Sequence, residues 1–199
     1  MANHRISSTR IVVICSILTA ALVACSSRTV EAAGNADLEL GLGAFIGIGN
    51  NKSVQAGAAY TAAVAVGIAS HLDAEVGATL AKADNDTGNL PFGTSPPSEK
   101  ITAFNAGLRF FPFSKDPKDV SRVFVMAGVG YMDGFPAKDL STPGSRDKRG
   151  GRGYIGPGLK LLVTDHAGVV LKAPFYIRSL SNRNDTAWVP TASLFWRFE

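Results

Sequence analysis

Reaction chemistry needs a nucleophile, a proton carrier or a set of metal ligands, and this chain offers few of any. Its histidines are His4, His71 and His166, and its cysteines are Cys15 and Cys25. His4 and both cysteines fall near the N-terminus, which leaves the body of the chain with no thiolate zinc spacing and no internal disulfide pair. A histidine beside a serine can activate a hydroxyl for acyl transfer, and Ser70-His71 is such a neighbouring pair. It sits in a tight turn, as does His166. Paired carboxylates can divide acid and base work, but Glu39 and Glu75 share their surroundings with cations that favour the ionised form. The many Gly-x-Gly pairs open no helix and serve strand packing, so no phosphate loop or dinucleotide fingerprint is present. We therefore expect no catalytic residues, no metal and no cofactor.

The charged residues are informative for another reason. Glu39, Glu75, Arg109, Arg122, Lys160, Lys172, Arg178 and Arg197 lie inside runs of alternating character, and nearly all fall on the face that also carries glycine and alanine. The first run, 37–49, shows the pattern best. Leu38, Leu40, Leu42, Ala44, Ile46 and Ile48 occupy one face; Asp37, Glu39, Gly41, Gly43, Phe45, Gly47 and Gly49 occupy the other. A period of two separates those sets on a strand, and a helix cannot separate them.

Seven further runs follow, at 58–70, 74–84, 101–112, 121–135, 152–164, 167–180 and 186–198. Each is about 11 to 15 residues, the length a tilted membrane-crossing strand needs. The connections at 85–100 and 136–151 are long and polar, the second carrying Lys138, Arg146, Lys148 and Arg149. Those after the second, fourth and sixth runs are tighter, an asymmetry shown by barrels with long loops on one side of a membrane. Such a cationic loop meets anionic lipopolysaccharide or simply stays solvated. Pro157, Pro174 and Pro190 blur the limits of the last three runs, because proline removes a ladder donor.

Ahead of these runs stands an address. Residues 1–10 carry His4, Arg5 and Arg10 without an acid, and Ile11–Ala24 is an apolar stretch too short to cross a bilayer comfortably. Two processing sites compete. Cleavage after Ala32 makes residues 1–32 a signal peptide and 33–199 the mature domain. Leu22-Val23-Ala24-Cys25 instead reads as a lipoprotein signal over 1–24, with Cys25 acylated. The leader's three arginines and Glu31 contribute +2 of the formal +4, so the body carries +2, too little to argue for nucleic acid.

Composition decides which way the faces turn. The chain is 46% hydrophobic and 18% charged with 21 glycines, yet no segment of the body is continuously apolar over a helix-spanning length. A closed barrel of eight strands has just enough interior for side chains. Small residues and ions suit that lumen, and the stacked Leu, Val, Ile and Phe then face lipid, where a cation would cost about 2 to 4 kcal/mol near the midplane. We expect the eight charged residues named above to form a lumenal network. Tyr60, Tyr131, Trp188, Trp196 and Phe198 fall near run ends beside the apolar face, where an interfacial aromatic girdle belongs.

The segments "LELGLGAFIGIG", "FNAGLRFFPF", "FVMAGVGY", "GYIGPGLKLLV", "AGVVLKAPFYI" and "ASLFWRF" together resemble the small outer-membrane barrels of the OmpA, OmpX and OmpW type. The resemblance covers residues 37–199 and is one of pattern. It implies an all-β, closed, antiparallel, eight-stranded up-and-down transmembrane barrel in the outer membrane of a Gram-negative bacterium, following a helical signal peptide. It further implies a monomer whose partners are outer-membrane lipid, lipopolysaccharide and the barrel-assembly machinery. In such barrels the last strand usually finishes in an aromatic residue; here Phe198 is followed by Glu199. The expected role is structural or surface interaction without catalysis. Two alternatives stay open. One is a narrow channel for small or apolar solutes, which requires Phe45, Arg109, Phe111, Phe124 and Tyr176 to leave a continuous gap; the other is a lipid-modifying enzyme.

Overall fold

A computed structural model of the chain describes residues 35–48, 54–86, 98–113, 119–134, 149–177 and 186–198. They form strands β1 (Ala36–Ile48), β2 (Val54–Ala69), β3 (Leu72–Asp86), β4 (Ser98–Phe110), β5 (Ser121–Asp133), β6 (Arg149–Thr164), β7 (Ala167–Lys172), β8 (Phe175–Ile177), β9 (Thr186–Trp188) and β10 (Thr191–Phe198). β7 and β8 are two pieces of the seventh wall strand, and β9 and β10 two pieces of the eighth. Every neighbour is antiparallel, and β10 pairs with β1, so the sheet closes into an eight-stranded barrel. The leader, Cys25, Arg178 and most of the two long loops lie outside the described residues.

Register sets the shape. A walk around the wall from Ala36 passes Val66, Ala74, Leu108, Ala127, Ile155, Phe175 and Trp188, and returns to β1 at Ile46, ten residues further along. With a rise of about 3.3 Å per residue and about 4.7 Å between strands, that offset tilts the strands by about 40° and gives a radius of about 8 Å. Each residue then climbs about 2.5 Å along the barrel axis.

The faces turn as volume and charge require. Leu40, Leu42, Val129 and Leu194 are more than 60% exposed on the outer wall, whereas Arg109, Glu39 and Lys160 are at most 1% exposed inside. Val64 departs from its neighbours. It lies on the outward side yet is buried, flanked across the strands by Leu38 and Val76.

The expectation that small residues fill the lumen needs correction. Phe45, Phe111, Phe124, Tyr154, Tyr176 and Phe195 are all buried there. Glycine provides the space opposite them: a Cβ at Gly158 would strike the Phe124 ring, and one at Gly107 or Gly128 would strike the Tyr154 hydroxyl. Small and large residues thus interlock across the narrow interior.

Run limits shift as well. β2 starts at Val54, β4 at Ser98 and β6 at Arg149, each earlier than the alternation suggests. Asp73, expected in a turn, belongs to β3 and is buried. The prolines differ in effect. Pro174 and Pro190 fall at the gaps that split the last two wall strands, while Pro157 sits within β6. The Pro157 carbonyl accepts from the Ala173 amide at 3.1 Å. In an antiparallel ladder a residue's donor and acceptor point to the same side, so the donor that Pro157 lacks falls at the neighbouring gap. The breaks are stitched by Val189 N–H donating to the Pro174 carbonyl at 3.1 Å and Ala44 N–H to the Pro190 carbonyl at 3.0 Å.

Candidate functional site

The inward positions of seven wall strands converge on one column of ions. β1 supplies Asp37 and Glu39, β3 Asp73 and Glu75, β4 Arg109, β5 Arg122, β6 Arg152 and Lys160, β7 Lys172, and β10 Arg197, all buried. Strand parity explains this: each residue lies an even number of positions from other inward residues on its own strand.

Halfway up the barrel, four of them close a ring. Arg109 Nη1 donates to Glu39 Oε1 at 2.6 Å, and Arg109 Nε donates to Glu75 Oε2 at 2.5 Å. From the opposite side Lys172 Nζ reaches Glu39 Oε2 at 2.7 Å and Glu75 Oε1 at 3.1 Å. Each cation bridges both carboxylates, so two acids and two bases cancel. Neutralising buried charges within one hydrogen-bonded set is what offsets their desolvation. Phe124 packs beneath, its ring centre 5.2 Å from the Arg109 guanidinium carbon.

Nearer the end where both β1 and β10 terminate lies a second cluster. Asp37 pairs with Lys160 and accepts from Arg197 Nε at 3.1 Å. Arg122 lies over the Phe111 ring, 3.7 Å from its centre, and its Nη2 donates to the Ser70 carbonyl at 3.0 Å. Asp73 shares a small pocket here with Asp37, Arg122, Lys160 and Arg197. Above the central ring is a polar cavity of about 20 Å³, lined among others by Thr61, Thr79, Asn105, Tyr176 and Thr191. It has room for a water or so. Tyr154 and Tyr176, with ring centres 5.4 Å apart, narrow the lumen above it.

Seven of the eight charged residues singled out in the sequence are therefore inside, and four of those make the central ring. Arg178 lies outside the described residues. Asp37, Asp73 and Arg152 were missed as lumenal charges. Asp37 and Arg152 open their runs and look like solvated strand ends, yet each has the inward parity of its strand, which was the usable signal. The aromatics Tyr60, Tyr131, Trp188, Trp196 and Phe198 all stand on the outer wall, between 37% and 58% exposed. By register, Tyr60, Phe104, Tyr131, Phe175 and Trp188 lie about 18 to 22 Å above Ala36, and Phe110, Trp196 and Phe198 within about 5 Å of it. Phe175 stacks on Trp188 at 5.7 Å.

The two described histidines stand in separate turns. His71 is in the turn between β2 and β3, its Nδ1 3.2 Å from the Phe111 carbonyl oxygen. His166 is exposed in the turn between β6 and β7. Among the described residues no group of three metal-ligating side chains gathers.

An ion-filled lumen inside an apolar, lipid-like outer wall, closed by eight tilted strands, defines the architecture of the small outer-membrane β-barrels. Solved structures share it. The outer membrane protein OprG from Pseudomonas aeruginosa matches with a TM-score of 0.58 at 11% identity, over 84% of this chain and 97% of that one. Neisserial surface protein A matches with a TM-score of 0.58 at 12% identity, over 82% of this chain and 97% of that one. At such identities the likeness is one of fold. No family model and no curated protein sequence matches the chain.

Proposed function

We propose that the chain is a monomeric, non-enzymatic outer-membrane β-barrel with a sealed lumen, serving a structural or surface-interaction role. The ends of β1 and β10 face the periplasm, and the long loops face outward. Its apolar wall meets membrane lipid and lipopolysaccharide, its aromatics form a girdle at each interface, and Phe198 serves as the signal read by the assembly machinery. What supports this most is the inversion of a water-soluble protein's arrangement: Leu40, Leu42 and Leu194 more than 60% exposed and Arg109, Arg122, Arg152 and Arg197 at most 3% exposed. In water, that much contiguous apolar wall would drive aggregation; against hydrocarbon it is stabilised. The central ring and the rings of Phe124, Tyr154 and Tyr176 favour a plug over a conduit. Glu39 and Glu75 are each engaged by both Arg109 and Lys172, which favours the non-enzymatic reading.

Heat-modifiable gel mobility of isolated outer membranes, combined with protease shaving of the loops, tests location and orientation. Absence of a compact, heat-shifted band removes the membrane reading. In planar bilayers the expected result is no steady current; a stable unitary conductance reassigns the protein as a narrow channel. Lipid A profiles of cells with and without the protein should be identical by mass spectrometry. Loss of a defined acyl chain reassigns it as an enzyme.

A further inference from the structure

The outer wall is apolar over most of its height, and among the described residues charged side chains appear on it toward the end carrying the long loops. Lys82 of β3 and Lys100 of β4 are direct cross-strand partners, and both are exposed on the outward face. Like charges placed opposite one another in a sheet repel. Among the described residues neither has an ion-pair partner. Register puts them about 5 to 8 Å beyond the upper ring of Tyr60, Phe104 and Tyr131, at the end carrying the long loops. That is headgroup depth for a membrane whose hydrocarbon stops at the aromatics.

The wall beside them is unusually low. Across β2 and β1 the partners of Lys82 are Ala58 and Ala44, and Ala56 follows on the same face. Short side chains here make a shallow trough that ends below at the row of Leu42, Tyr60 and Leu80, all exposed. A cationic pair at the top of an apolar trough matches a molecule with an anionic head and an acyl tail. Asp84, exposed on the same face one pleat further out, and Asp133 of β5, opposite Thr102, moderate this charge.

We propose that Lys82 and Lys100 hold the phosphate of an anionic lipid of the outward leaflet, its acyl chain lying along the trough over Ala44 and Ala58. This rests on the membrane reading above. The two ammonium groups flank one phosphate, whose charge relieves their mutual repulsion.

The test uses the full chain folded in zwitterionic detergent micelles, with diphosphoryl lipid A as the probe and native mass spectrometry as the readout. Wild type should retain one lipid A that a phosphatidylcholine control does not replace. Lys82→Gln with Lys100→Gln should weaken retention at least fivefold, Lys82→Arg with Lys100→Arg should preserve it, and Asp84→Asn should strengthen it. Equal retention by wild type and the double glutamine variant overturns the site. So does displacement of lipid A by an equal concentration of inorganic phosphate, since that reports a bare anion site. The heat-modifiable gel shift is recorded for every variant. If the double variant does not fold, Lys82→Gln and Lys100→Gln are read singly, each with at least a twofold loss expected. A wild-type chain that never forms a heat-modifiable barrel fails the membrane reading; a well-folded one without lipid A preference fails only this inference.

Discussion

The two charge clusters in the lumen are built from the same residue types and solve different problems. In the central ring each cation meets both carboxylates, so every ion is held from two sides. In the lower cluster Asp37 serves both Lys160 and Arg197, Arg122 lies over an aromatic ring and donates to a backbone carbonyl, and Asp73 shares the pocket. The first is a closed circuit midway up the barrel; the second lies nearer one end, around a small pocket. Buried ions far from water need complete pairing, and ions near an end tolerate less.

That contrast can be broken by substitution. Arg109→Met should have the largest effect, because Glu39 and Glu75 lose a shared partner that is itself fully buried. A loss of about 3 to 5 kcal/mol is expected, read as the urea midpoint of the barrel folded in lipid vesicles. Leu40→Arg places a cation at nearly the same depth on the other side of the wall. It should cost about 2 to 4 kcal/mol in bilayers, and a neutral result there would show that the outer face does not meet hydrocarbon. Gly158→Ala tests the packing beneath the ring, since the added methyl must displace Phe124. A loss of about 1 to 3 kcal/mol is expected in the same assay. Asp37→Asn should cost least, about 1 to 2 kcal/mol, because Lys160 and Arg197 lie near an open end. If Asp37→Asn equals or exceeds Arg109→Met, depth does not govern the two clusters.

Much of this was legible beforehand, for a physical reason. Alternation reports faces wherever a strand runs unbroken, and β1 to β5 do. Leu38, Leu40 and Leu42 against Asp37 and Glu39 leave one solution, since inverting the wall would set the carboxylates outside among apolar side chains. The second half was harder to read, because Pro174 and Pro190 interrupt the pairing and only three-dimensional register shows how each broken strand resumes. Pairing partners were equally hidden. Arg109 and Glu39 are 70 positions apart, and no local pattern could choose Glu39 and Glu75 for Arg109 while giving Asp37 to Lys160. Lys82 and Lys100 became neighbours only when β3 and β4 were aligned.

Finally, consider the walk that leaves β1 at Ala36 and comes back at Ile46. Ten is an even number, so greasy positions rejoin greasy positions and wet ones rejoin wet ones where the cylinder is sewn shut. Deleting a single residue from the middle of any wall strand would make that tally odd, and somewhere along the circumference a column of side chains would have to point the wrong way. Length changes should therefore survive in the connections between strands, or arrive within strands in twos, which makes the closed wall a proofreader of its own insertions and deletions.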